Sequence, residues 1–151
     1  MTGTSEVHAS MKWKKELIFK LKFGDIPMPE IMVDETNKEE ENMVGTNPSR
    51  LLGAAVMSCL SSSLLFCMSK KEMTLDDFEA KVRVKSGRND DGRVRVLGIN
   101  VELIPTTNDP DVQKRLQICK KMFQKYCTVT ESVRAGIDVN VDVHEAYEKE
   151  E

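Results

Sequence analysis

Four cysteines, Cys59, Cys67, Cys119 and Cys127, are the residues best suited to do chemistry. A cysteine thiolate attacks peroxide and disulfide bonds and binds metals, and otherwise the side chain behaves as a small hydrophobe. Eight residues separate Cys59 from Cys67, and eight separate Cys119 from Cys127. Along a straight helix eight residues rise about 12 Å, whereas a disulfide needs its Cα atoms within about 7 Å. Neither close pair can bridge inside one helix, so a redox pair must join two. No Cys-x-x-Cys occurs, and the histidines, His8 and His144, stand near the ends. The short paired spacings of a zinc site are absent, and no metal is expected. Cys119 falls on the apolar stripe of its helix and Cys67 in an apolar run, which reads as burial without reactivity. Substituting either is expected to alter stability only. By spacing alone, Cys59 and Cys127 admit the same reading.

Two helices must position these sulfurs. The first lies in NPSRLLGAAVMSCLSSSLLFCMSK, from Asn47 to Lys70, which has no charge between Arg50 and Lys70. Asn47 is a good N-cap and Pro48 fits the first helical turn. Apolar residues from Leu51 to Met68 run most of the way round, which predicts a helix buried on most sides. Its uncharged length approaches that of a membrane span. Five serines dilute it, however, and the flanking elements need it as their core, so no membrane insertion is expected. The second helix opens at Asp109-Pro110 and places Val112, Leu116, Cys119, Phe123 and Tyr126 on one side, with Cys127 at its end.

The rest alternates with period two. Leu17, Phe19, Leu21 and Phe23 predict one strand, and a shorter strand is expected around 30–34. The acidic run DETNKEEEN reads as a solvated loop. Phe78, Ala80, Val82 and Val84 predict another strand. Val94 and Val96 share one phase and Ile99, Val101 and Leu103 the other, so a β-bulge is expected at Leu97-Gly98. Ile137, Val139, Val141 and Val143 predict a last strand after Gly136, and the tail HEAYEKEE frays or continues as a short helix. The order β-β-α-β-β-α-β is of the α+β class. One sheet covers one side of the uncharged helix, so a second copy of the chain is expected to cover the other, in a homodimer.

The 151 residues predict one domain over 12–151 after a disordered start over 1–11. Charged residues at 31% and hydrophobic residues at 40% suit a globular protein. A net charge of -3 and a pI near 5.5 give no basic field for nucleic acid. MTGTSEVHAS lacks the basic start and apolar core of a leader. A cytoplasmic location follows as an expectation, with thiols kept reduced there.

NPSRLLGAAVMSCLSSSLL resembles the central-helix signature of the OsmC/Ohr family: Asn-Pro, an apolar stretch with small residues, and a Cys twelve positions after the Asn. KYCTVTESV is similar to the family's second cysteine segment, and the element order agrees from about Trp13 to Val143. The resemblance implies an OsmC-like fold as an intertwined homodimer, and thiol-dependent reduction of organic hydroperoxides. Cys59 would then be the peroxidatic cysteine and Cys127 the resolving one, with an external dithiol as reductant and no cofactor. The family's hydroperoxide reductases place a Glu soon after Asn-Pro, holding an Arg from the N-terminal region over the sulfur. Here that position is Ser49, followed by Arg50, and FGDIPMP holds no Arg. Ser49 and Arg50 are the candidate activating or substrate-contacting residues. Arg50 points away from Cys59 on its own helix, and Cys59 sits mid-helix, too far from that helix's positive end to gain from it. Two other readings of the same fold are a non-enzymatic binder of a small apolar or acyl ligand, and a redox sensor.

Overall fold

A computed structural model describes residues 3–146. Five strands and three helices follow in the order β1 (Ser10–Lys15), β2 (Ile18–Lys22), β3 (Ile31–Asp34), α1 (Pro48–Ser69), β4 (Asp77–Arg88), β5 (Val94–Thr106), α2 (Pro110–Met122) and α3 (Thr128–Ala135). The fold is α+β, as the sequence leads one to expect, with two antiparallel sheets, β1-β2-β3 and β4-β5.

The chain divides into two compact units. The first holds both sheets and the start of α1. Within it, the strand expected around Leu17–Phe23 is β2, and β1, which the sequence pattern does not predict, pairs with it as a hairpin. Lys15 pairs with Ile18 and Trp13 with Phe19, across a turn at Glu16-Leu17 in which Glu16 adopts φ 47. No glycine or asparagine marks this turn, so nothing in the local sequence announces it. Ile18, Leu21 and Val33 form the small core of this sheet. Asp34, at the end of β3, is 1% exposed. Its carboxylate accepts from the Thr36 hydroxyl and amide and from the Val44 amide, at 2.6, 2.9 and 3.0 Å. The Thr36 hydroxyl contributes most to holding this carboxyl down at about 2.

β4 and β5 form a long hairpin. Lys85 faces Gly98 and Ser86 faces Val96, so Leu97 is the extra residue of the expected bulge. Asn47 caps α1 by accepting from the Arg50 amide at 2.9 Å. Gly53 lets α1 approach β4: a Cβ there would stand 2.6 Å from Val84 Cγ2 and 3.3 Å from Val82 Cγ2.

The second unit comprises Cys59–Thr74 and the chain from Asn108 onward. Asp109 caps α2 by accepting from the Asp111 amide at 2.9 Å, with Pro110 in the first turn. Val112, Leu116, Cys119 and Phe123 are buried as expected, but Tyr126 is 65% exposed. A 3-10 turn over Phe123–Tyr126 follows α2 and rotates Tyr126 off the stripe. α1 is buried along the one stripe Val56, Leu60, Leu64 and Met68, while Leu65 and Phe66 are exposed. The expectation of burial most of the way round is therefore not met within one chain. By length and composition alone α1 would cross a membrane, a property it shares with core helices.

The final strand is also corrected. Ile137, Val139, Val141 and Val143 have no regular structure and are exposed, and in their place the segment before Gly136 forms α3. A strand needs an edge to pair with, and among the described residues this segment has none. The tail residues 147–151 lie outside the described residues.

Candidate functional site

Cys59 stands on α1 and Cys127 at the junction between the 3-10 turn and α3. The chain reverses there because Cys127 serves two roles. Its amide donates to Gln124 O at 3.0 Å, closing the 3-10 turn, and its carbonyl accepts from the Glu131 amide at 3.0 Å, opening α3. That reversal turns the Cys127 side chain inward, where it is 1% exposed. Cys59 and Cys127 form a disulfide with Cα atoms 5.9 Å apart. The two residues singled out by the sequence are brought together, in the inter-helix manner that the spacing requires.

Two groups complete the site, and neither was legible as functional. The Val129 amide, in the first turn of α3, donates to Cys59 Sγ at 3.4 Å. First-turn amides have no partner inside their own helix and carry the positive end of its dipole. Cys59 is thus mid-helix on α1 yet meets the N-terminus of a different helix, which favours a thiolate there. Thr130 is 5% exposed, and its hydroxyl stands 3.0 Å from Cys127 Sγ. The sequence pattern predicts no helix between Cys127 and Gly136. A signal was present: Thr128-x-x-Glu131 has the form of a capping box and Gly136 that of a helix stop.

Of the two remaining candidates, Arg50 pairs with Glu40 through a short ion-pair contact, and Ser49 is half-buried in the first turn of α1.

Cys67 and Cys119, expected as inert thiols, form a second disulfide between α1 and α2 with Cα atoms 5.8 Å apart. Beside it Arg115 donates from Nη2 to Cys67 O at 2.9 Å and approaches Cys67 Sγ at 3.7 Å. The sequence pattern does not single out Arg115. Its position one turn before Cys119 was the available hint. Among the described residues no group of three or more His, Cys, Asp or Glu is arranged to hold a metal.

The sequence model of the OsmC-like protein family matches residues 38–142. No curated protein matches the chain. Among solved structures, an OsmC-like protein of unknown function from Vibrio cholerae is similar with TM-score 0.67 at 14% identity, over 85% of this chain and 94% of its own. The organic hydroperoxide resistance protein OhrB of Bacillus subtilis is similar with TM-score 0.62 at 18% identity, over 89% and 94%. An organic hydroperoxide resistance protein OsmC from Legionella pneumophila is similar with TM-score 0.66 at 14% identity, over 91% and 95%. At these identities the likeness is one of fold.

Proposed function

The chain belongs to the OsmC-like family, and from that premise we propose that it is a thiol-dependent peroxidase that reduces organic hydroperoxides through Cys59 and Cys127. The observation that carries the reading is the inter-helix pairing of these two cysteines, with the first-turn amide of α3 directed at Cys59 Sγ. The half-buried Cys59 is the sulfur a substrate reaches, and the buried Cys127 is the one that waits behind it. The names of the Bacillus subtilis and Legionella pneumophila relatives, both organic hydroperoxide resistance proteins, support the substrate class.

The Cys59 thiolate attacks the terminal oxygen of the hydroperoxide. The O–O bond breaks, and the alkoxide takes up a proton and leaves as the alcohol. Cys59 is left as a sulfenic acid. Cys127 attacks that sulfur and water departs as the disulfide forms. An external dithiol returns both thiols by exchange. No cofactor enters the cycle. Within the reading the protein acts in the cytoplasm as a homodimer. The exposed Leu65 on α1, and the alternating Val139, Val141 and Val143, are surfaces that a second copy would cover. Ser49 and Arg50 are assigned to substrate contact in that dimer. The engagement of Arg50 by Glu40 favours a second reading, a redox sensor whose bridge forms without turnover.

The test is steady-state consumption of cumene hydroperoxide with a dithiol reductant. Turnover in the wild type, lost in Cys59→Ser, supports the peroxidase. A bridge that forms once and does not cycle supports the sensor. Full turnover in Cys59→Ser refutes the assignment.

A further inference from the structure

A disulfide that only cross-links two helices needs neither a cation nor an opening, and Cys67–Cys119 has both. An open pocket of about 490 Å³ lies over Cys67, with Phe66, Lys70, Arg115 and Tyr126 among its walls. The Lys70 ammonium sits 5.1 Å from the Phe66 ring and 5.8 Å from the Tyr126 ring, so the two exposed aromatic faces and a cation line one wall. Cys67 opens onto this pocket, whereas Cys119 does not line it and is fully buried. The two sulfurs are therefore unequal, as in a pair with one attacking and one resolving thiol.

The position of Cys67 makes Arg115 informative. Cys67 lies in the last turn of α1, at the negative end of the helix dipole, which opposes a thiolate. The guanidinium offsets this. Its Nη2 is anchored on Cys67's own carbonyl and lies 3.7 Å from its sulfur. Its Nε is buried without a hydrogen-bond partner, so the arrangement is not explained by full satisfaction of the arginine.

We propose that Cys67 and Cys119 are a second redox-active pair, distinct from Cys59–Cys127, in which Arg115 activates Cys67 and the pocket admits an organic hydroperoxide bearing an anionic group. The Cys67 thiolate attacks the terminal peroxide oxygen. The O–O bond breaks, the alkoxide gains the proton that Cys67 released and leaves as alcohol, and Cys67 becomes a sulfenic acid. Cys119 sulfur bonds to Cys67, and the displaced hydroxide takes the Cys119 proton to leave as water. Two thiols lose two electrons, and the hydroperoxide is reduced to alcohol and water. Lys70 and Arg115 attract the anionic group, and Phe66 and Tyr126 take the apolar part. The chemistry matches that proposed for Cys59, but the pair stands or falls separately.

The experiment uses the full chain carrying Cys59→Ser and Cys127→Ser, reduced and desalted, with one equivalent of a fatty-acid hydroperoxide. Time-resolved alkylation and non-reducing peptide mapping follow the thiols. The expected result is a Cys67–Cys119 linked peptide with stoichiometric alcohol. Adding Arg115→Met should slow its formation about threefold or more, because lost thiolate outweighs gained nucleophilicity, and Arg115→Lys should recover most of the rate. Adding Cys119→Ser should leave a sulfenic acid on Cys67 that a dimedone-type probe traps. The same linked peptide is expected in the wild type after a second equivalent, which gives a readout that does not depend on any variant folding. Cys67 remaining fully alkylatable in both proteins would overturn the proposal. So would bridge formation at the same rate with Met at position 115. Neither result bears on Cys59, whose oxidation is read separately in the wild-type map.

Discussion

The two disulfides are nested, and the nesting has a measurable energetic signature. Cys59–Cys127 spans 68 residues and encloses Cys67–Cys119, which spans 52. Closing either loop alone restricts the unfolded chain by about 4 kcal/mol in the loop-entropy model. Once one bridge is closed, the other no longer closes a long loop. The remaining circuit is the eight residues from Cys59 to Cys67, the eight from Cys119 to Cys127, and the bridges themselves. Closing a circuit of that size is worth about 3 kcal/mol. Removing Cys67–Cys119 by paired serine substitution should therefore cost about 3 kcal/mol when Cys59–Cys127 is oxidised and about 4 kcal/mol when it is reduced. The converse holds for Cys59–Cys127. Urea unfolding of the four states, oxidised, each single-bridge form and fully reduced, measures all of the differences. The m-value should rise as bridges are lost and the unfolded chain expands. Equal losses in both backgrounds would refute the nested pairing, because bridges closing independent loops contribute additively.

Gly53→Ala should destabilise by up to about 2 kcal/mol, since overlap with Val84 and Val82 outweighs the roughly 1 kcal/mol that alanine gains in a helix. The sign should reverse in a Val84→Ala background, and a stabilising Gly53→Ala in the wild type would show that α1 does not approach β4 so closely. Asp34 has a folded value of about 2 against an ordinary 3.8, so its stabilisation is complete above about pH 5 and is lost as pH falls through 3.8 toward 2. The difference in Tm between wild type and Asp34→Asn should shrink across that window, and a constant difference would mean that the carboxylate is not held this way. The Cys59 thiol, facing the start of α3, should reach half its maximal alkylation rate below the ordinary thiol value of about 8.5. A midpoint at or above that value would remove α3 as the source of activation.

Local chemistry was legible wherever a residue type forces a backbone event. Asn47-Pro48 and Asp109-Pro110 start their helices, and the phase slip at Leu97 is the bulge. The failures share a cause: the deciding interaction lies outside the pattern. Glu16 turns the chain in a left-handed conformation that its residue type does not announce. Ile137 to Val143 alternate as a strand should, but alternation supplies no pairing edge, and the preceding segment coils into α3. Tyr126 keeps the helical spacing on paper and loses it to a 3-10 turn. At the site, Cys59 and Cys127 were accessible through motif resemblance, and the rule against intra-helix bridges was correct. The Cys67–Cys119 bridge and the approach of Arg115 depend on how α1 meets α2, which one-dimensional spacing does not encode.

The central claim is that Cys59 is oxidised by an organic hydroperoxide and resolved by Cys127. Its most direct test is a single addition of one equivalent of cumene hydroperoxide to the reduced Cys67→Ser/Cys119→Ser protein, followed by intact mass and non-reducing peptide mapping. The expected result is loss of two hydrogens and a Cys59–Cys127 linked peptide, with Cys127→Ser stopping instead at a sulfenic acid on Cys59. An unchanged mass, with both cysteines still open to alkylation, would contradict it.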